Sequence, residues 1–202
     1  QVGSPKAGDP LPSLDPDGRF PVDAVIALGS RWSVYDHDAI GAWIDEELRL
    51  LRTAHDRGVG VLGICFGGQA LAAALGGTVS RSTAPEIGWQ RVESDCPEIA
   101  AGPWFQWHLD VFTTPPGATE LARSGSGPQA FRSGRSVGLQ FHPELDVDLL
   151  ERWIDEDRDQ LVDAGVDPTR LVATSAAAVD AARPRTARLL DWFLDDVCAG
   201  TD

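Results

Sequence analysis

The sequence predicts an α/β chain with a largely parallel central sheet, a small antiparallel flank and a helical C-terminal tail. Three observations carry that expectation. Asp23 to Leu28 and Val59 to Ile64 are short apolar runs, partly β-branched, that end at Gly29 and Cys65, the pattern of strands buried on both faces. Between them Ile40, Trp43, Ile44, Leu48 and Leu51 recur at helical spacing. From residue 147 to 202 the apolar residues again follow a helical period.

Residues Gln1 to Pro21 are rich in Pro, Gly, Asp and Ser and read as loop, with Gln1-Val2 as the stub of an earlier strand. The strand over 23–28 is followed by a helix over 38–57 that stops at Gly58. A crossover of this kind makes 23–64 a right-handed βαβ unit, so that Gly29 and Cys65 come to the same edge of the sheet. Beyond Cys65 the alanine- and leucine-rich stretch 66–75 reads as a helix closed by Gly76-Gly77.

Cys65 therefore stands at a strand-to-helix corner, with Gly63 and Gly67 two residues to either side. Glycines so placed permit a tight turn that lifts a nucleophile out of the sheet, and a helix N-terminus favours thiolate over thiol. The corner alone favours a functional cysteine, with a small buried cysteine as the competing reading.

Between Ser80 and Phe131 the pattern changes to short runs, 88–93, 104–107, 111–112, 120–122 and 130–132, the later ones separated by Pro- and Gly-rich turns. That suits antiparallel hairpins beside the parallel strands. The tail reads as three helices: one with Leu149, Leu150, Trp153, Ile154, Leu161 and Val162, a second over 168–182, and a third from Pro184 with Leu189, Leu190, Trp192, Phe193 and Val197 buried. The Asp155-Glu156-Asp157 run reads as solvated helix surface.

Cysteine chemistry needs a base for the thiol proton and a group that orients the base. The strand-like run Val137 to Phe141 ends in His142-Pro143-Glu144, which offers both. His108, two residues before Asp110, is the competing base, although Trp104 and Trp107 beside it suit a half-buried structural histidine. His37 and His55 read as surface residues.

The segments Gly63-Ile64-Cys65-Phe66-Gly67-Gly68-Gln69 and Gln140-Phe141-His142-Pro143-Glu144 together resemble the class I, triad-type glutamine amidotransferases, among them stand-alone domains similar to the amidotransferase part of GMP synthase. Leu28-Gly29-Ser30, Val34-Tyr35-Asp36, Glu86-Ile87-Gly88-Trp89 and Gln106 to Asp110 extend the resemblance over nearly the whole chain. It implies the three-layer, flavodoxin-like fold of that family in one domain spanning 1–202, with 147–202 as its tail. It implies Cys65, His142 and Glu144 as catalytic residues. It also implies an oxyanion site at the backbone of Gly29 or Ser30 and Phe66, and glutamine contacts from Gln69, Trp107, Leu109 and Asp110.

Two departures stand out. Gly29-Ser30-Arg31 replaces the usual Gly-Gly-Pro, and Gly68 stands where many relatives carry histidine, which implies wider space beside the pocket. The family also begins with a strand and helix earlier than Gln1, so further N-terminal sequence is expected. The implied substrate is L-glutamine, with no cofactor and no metal. The implied partner is a separate synthase or acceptor for ammonia, docked over the rim formed by 29–36 and 106–110. A hydrolase of other γ-glutamyl amides and a non-catalytic regulatory relative are the competing readings.

Composition bounds these functions. With 202 residues, 43% of them hydrophobic, the chain can build one sizeable core. Seventeen basic residues against 31 acidic ones give a formal charge of −14, which argues against binding nucleic acid or anionic membrane. Cys65, Cys96 and Cys198 form no metal or disulfide pattern and suit a reducing cytoplasm. No apolar run is long enough to span a bilayer.

Overall fold

Strands β1 (Ala24–Ala27), β2 (Gly60–Ile64) and β7 (Ser136–Leu139) lie side by side in parallel, and β2 is buried along its whole length. The computed structural model describes residues 9, 11, 20–99 and 101–199. The expected loop over 1–21 and the strand stub at Gln1-Val2 fall almost wholly outside them. Beyond β7 the sheet continues through β6 (Gly127–Ser133), β5 (Thr119–Ser124), β3 (Val79–Ser94) and β4 (Gly102–Phe112), every pairing antiparallel. The order is β1-β2-β7-β6-β5-β3-β4, a seven-stranded mixed sheet.

The antiparallel part is thus larger than the small flank the sequence suggests. The runs read as separate short strands merge into a hairpin of two long ones, β3 with 16 residues and β4 with 11. Ser80 to Pro85 carries no apolar alternation to announce a strand, yet Ser80 and Arg81 pair with Val111 and Asp110 of β4, and the ladder resumes at Glu86 after an irregularity over 82–85. The side chains of this stretch stay largely exposed.

Helices cover both faces of the parallel strands. On one side α1 (His37–Ile40), α2 (Ile44–Asp56) and α3 (Phe66–Ala74) bring Ile40, Ile44, Leu51, Ala70 and Leu71 against Val61. On the other, Leu62 and Ile64 meet Leu189, Trp192, Phe193 and Val197 from the C-terminal helices. Alternation along β2 accounts for this division, since successive side chains point to opposite faces. The expected single helix over 38–57 is interrupted at 41–43, where Trp43 leaves helical geometry.

The tail differs from expectation at two points. The helix expected to run from Leu149 to Val162 is two, α4 (Val147–Glu156) and α5 (Arg158–Asp163), divided at Asp157. Conversely, Pro184 does not separate helices: α6 runs unbroken from Pro168 to Trp192 and continues as a π-helical turn over Phe193–Cys198. An internal proline costs about 3 kcal/mol. Burial of Leu171, Val179 and Ala182 before it and of Leu189 and Trp192 after it offsets that cost, each large apolar side chain contributing roughly 1.5–3 kcal/mol. Asp146 caps α4 by accepting from Leu149 N, and Asp167 caps α6 by accepting from Thr169 N and Arg170 N. Among the described residues no helix is long and apolar enough to cross a membrane.

Glycines let α3 settle directly on the strands. A Cβ on Gly67 would run into the Ala27 carbonyl, and one on Gly68 into the Leu139 carbonyl. Gly68 is therefore filled by the approach of the β7 backbone, not by the open space that its replacement of histidine suggests. Replacing Gly67 by Ala should destabilise the chain by roughly 1–3 kcal/mol, the range for overpacking. Urea denaturation checks this, and an unchanged midpoint would show that α3 does not need the close approach.

Candidate active site

The corner between β2 and α3 has an unusual backbone. Cys65 sits at φ 52 and ψ −110, and among the described residues it is the one non-glycine with positive φ. Such a conformation costs on the order of 1–3 kcal/mol and persists only where surroundings hold it. Here they do. Cys65 N donates to Leu139 O at 2.8 Å, Gly67 N to Leu28 O at 3.2 Å, and Gln69 N to Cys65 O at 2.9 Å. A Cβ at Gly63 would overlap the Gly67 carbonyl, so the strand can fold back against its own helix only with glycine there.

His142 arrives from the neighbouring strand. The parallel pairing of β2 with β7 sets Ile64 beside Leu139, which carries the chain after β7 to the same sheet edge as Cys65. His142 Nδ1 lies 2.7 Å from Glu144 Oε1, and Cys65 is close enough to act electrostatically on the same imidazole. With Nδ1 occupied by the carboxylate, Nε2 is the nitrogen left for sulfur. The ring is buried, its main-chain N–H bonds Phe105 O at 2.8 Å, and Trp153 of α4 meets its plane edge-on at 4.7 Å. Burial on its own would pull the imidazole toward the neutral form. The charges of Glu144 and Cys65, with the hydrogen bond to Glu144, outweigh burial and hold its pKa well above the usual histidine range.

The cleft around these groups has a volume of about 400 Å³. It brings together most of the residues singled out from sequence: Cys65, His142, Glu144, Gly29, Ser30, Gln69, Trp107, Leu109 and Asp110. Gly29 is packed so closely that a Cβ there would sit 3.0 Å from His142 Cε1 and 3.7 Å from Cys65 Cβ. Trp107 contributes its carbonyl, 3.7 Å from the Cys65 sulfur. Gln69 is buried and donates to Asp110 O at 3.2 Å and to Gln140 Oε1 at 3.4 Å. Phe66 does not line the cleft, since its side chain packs against Trp43 in the core. Its backbone N–H belongs to the first turn of α3, where helices leave amides unpaired.

His108 occupies a different environment. Its Nδ1 lies 3.0 Å from the Asp110 main-chain oxygen and its Nε2 3.2 Å from Glu86. Glu86 also accepts from Ser124 and Gln129, and its carboxyl is held below the usual range because burial is outweighed by the His108 and Ser124 bonds. This is a buried structural network. The Asp110 carboxylate turns instead toward the loop after β1, where the Ser33 hydroxyl and, at 2.9 Å, the Tyr35 hydroxyl donate to it. His55 is half-buried and bonded to Ser136 rather than lying on the surface.

Sequence reasoning missed one wall of the cleft. Arg31 pairs with Asp157 at 3.0 Å, Asp157 also accepts from Gln160, and Gln160 accepts from Trp107 Nε1 at 3.1 Å. Asp157 is mostly buried by these contacts, unlike the solvated surface residue expected, and Trp153 turns inward beside it. The helical period marks Trp153 as facing inward but not that it faces a cleft, and nothing local marks Asp157. No cluster of His, Cys, Asp or Glu able to hold a metal occurs among the described residues.

The family model described as glutamine amidotransferase class-I matches residues 23–152. The glutamine-hydrolysing GMP synthase of Thermomicrobium roseum is 36% identical over 145 residues, covering 67% of this chain and 24% of its own length. That of Nitrosomonas eutropha is 32% identical over 166 residues, covering 71% of this chain and 30% of its own. The chain thus spans about a quarter of the length of these curated relatives. A solved glutamine amidotransferase of Thermotoga maritima is 29% identical with a TM-score of 0.82, covering 94% of this chain and 84% of that one. One from Methylobacillus flagellatus is 26% identical with a TM-score of 0.84, covering 98% and 84%.

The electrostatics of His142 give a direct expectation. Glu144→Gln removes a charge that raises the imidazole pKa and leaves burial in place, so that pKa should fall. Titration of the histidine resonances by NMR measures it. A value unchanged from the parent would mean that Glu144 does not govern the ring.

Proposed function

This chain belongs to the class I glutamine amidotransferase family, and from that premise we propose that it hydrolyses the side-chain amide of L-glutamine through Cys65, His142 and Glu144. The observation that carries the reading is the strained Cys65 corner meeting buried His142 and its partner Glu144 in one cleft. The proposed chemistry follows from the groups present. Cys65 sulfur, as thiolate, forms a bond to the γ-carbonyl carbon while its proton resides on His142. Collapse of the tetrahedral adduct breaks the carbon–nitrogen bond, and His142 returns the proton to the departing ammonia. Water then attacks the γ-glutamyl thioester, His142 takes its proton, and glutamate leaves with the thiolate restored.

The developing oxyanion is assigned to the main-chain N–H of Phe66 and a donor from Gly29 or Ser30. One such donor typically contributes about 3 kcal/mol. Gly29 suits this place because the loop passes within contact of both His142 and Cys65. Arg31 stands where the family's proline would give rigidity, but the loop is tied elsewhere: Arg31 to Asp157, Ser33 and Tyr35 to Asp110. Gln69, Trp107, Leu109 and Asp110 are assigned to the glutamine itself.

Ammonia at neutral pH is mostly protonated and lost as a nucleophile, so its acceptor is proposed to lie on another polypeptide or another part of the protein. The rim formed by 29–36 and 106–110 is the proposed docking face. We take 1–202 as one domain that includes the tail from 147, because α4 lines the cleft and the end of α6 enters the sheet's core. A cytoplasmic location is proposed on the reducing-compartment argument from the cysteines. The cleft also extends past Cys65 along Leu149, Trp153 and Gln160, which is room that a larger γ-glutamyl amide would use.

Glutamate release from glutamine and from a panel of γ-glutamyl amines tests the reading. Cys65→Ala should abolish release while circular dichroism stays that of the parent. Alkylation should label Cys65 ahead of Cys96 and Cys198, whose thiols burial pushes up. A Cys65→Ala variant that turned glutamine over at the parental rate would remove the assignment.

A further inference from the structure

We propose that Thr186 is a positioning residue for the His142–Glu144 pair, holding the turn between them through the Pro143 carbonyl. The proposal rests on the triad reading above. His142 and Glu144 are two residues apart, so the orientation of the Pro143 backbone sets how the carboxylate meets Nδ1. The Thr186 hydroxyl donates to Pro143 O at 2.9 Å from the middle of α6.

Three features separate this bond from ordinary helix chemistry. Other hydroxyl residues within helices turn back on their own helix: Thr53 to Arg49 O, Thr174 to Arg170 O, and Ser175 to Leu171 O. Such back-bonding is the usual choice inside a helix. Thr186 instead reaches across to a separate segment. Second, Pro143, Glu144 and Thr186 together line a half-open groove of about 410 Å³, so the turn has one open side. Third, Glu144 Oε2 is buried without a hydrogen-bond partner among the described residues. The carboxylate is therefore oriented by its one bond to His142 and by the backbone from which it hangs.

The consequence runs through His142. Cys65 and Glu144 are the charged groups that face its ring and raise its pKa. Loss of the Thr186 bond lets the turn move on the open side, lengthens the Nδ1 to carboxylate contact and weakens the support for the imidazolium. The continuation of α6 through Pro184 serves this arrangement, because Thr186 lies beyond the proline and reaches Pro143 only while the helix persists.

Thr186→Val, Thr186→Ala and Thr186→Ser, each in the full chain, test the proposal by two measurements. NMR titration of the imidazole needs no substrate, so it reads position even if the glutaminase reading fails. Glutamine turnover against pH reads the catalytic consequence. Valine and alanine should lower the His142 pKa, shift the alkaline limb of kcat/KM to lower pH, and reduce kcat by up to roughly tenfold, the rate equivalent of one lost hydrogen bond. Serine, which keeps the hydroxyl, should restore both. If valine fails to fold, alanine carries the same readout. A folded valine or alanine variant with the parental imidazole pKa, whatever its thermal stability, overturns the proposal, as does a serine variant that behaves like alanine.

Discussion

The backbone of Cys65 is the constraint on which the structure depends. A residue with a Cβ at φ 52 and ψ −110 is held there against its own preference, and the holding requires contacts from three strands. β7 accepts the Cys65 N–H, the end of β1 accepts the Gly67 N–H, and β2 supplies Gly63, whose lack of a side chain lets the Gly67 carbonyl approach. The parallel order β1-β2-β7 is the arrangement that places all three around the corner. Glycines at 63, 67 and 68 are then a packing requirement, because a side chain at any of them would separate helix from sheet and release the turn.

The same order explains how the other groups reach the sulfur. β7 lies directly beside β2, the strand that leads into the corner, and the residues after it inherit a fixed position relative to Cys65. β4 lies at the far edge of the sheet, yet the Phe105 carbonyl accepts the His142 N–H and the Trp107 carbonyl faces the sulfur. The long curled hairpin of β3 and β4 thus returns to the corner that the parallel strands define. Asp110 extends this return by holding the loop after β1 through Ser33 and Tyr35, so one buried carboxylate links the two walls of the cleft.

What was legible in the sequence follows from where information is local. The corner, the crossover helix and the His142 strand could be read because each is an apolar run with glycine, cysteine or histidine at its boundary, and burial on both faces leaves that mark. The β3–β4 hairpin could not, since Ser80 and Arg81 pair by backbone groups that every sequence possesses and the polar 82–85 stretch interrupts the ladder. Pro184 misled because local propensity disfavours it inside a helix, whereas burial on both sides overrides propensity. Arg31, Asp157 and Gln160 were invisible as a unit because they meet only when the tail folds back across the cleft. Local chemistry marked the candidate groups. The wall that encloses them is a product of tertiary approach.

Burial differs across the three central groups, and it bears most on the imidazole. Glu144 is 28% exposed by side chain, while His142 is 4% and Cys65 5% exposed. A lone charge on the buried imidazole would be expensive. The charges of Glu144 and Cys65 outweigh that cost and hold the ring's pKa well above the usual histidine range. The burial that would neutralise the ring alone therefore strengthens its attraction to those charges, since the same low dielectric that disfavours charge increases the energy between opposite charges. Although the Glu144 side chain is partly exposed, its Oε2 is buried without a hydrogen-bond partner among the described residues, so the carboxylate meets the ring through Oε1 at Nδ1 and acts on it in the same dry surroundings.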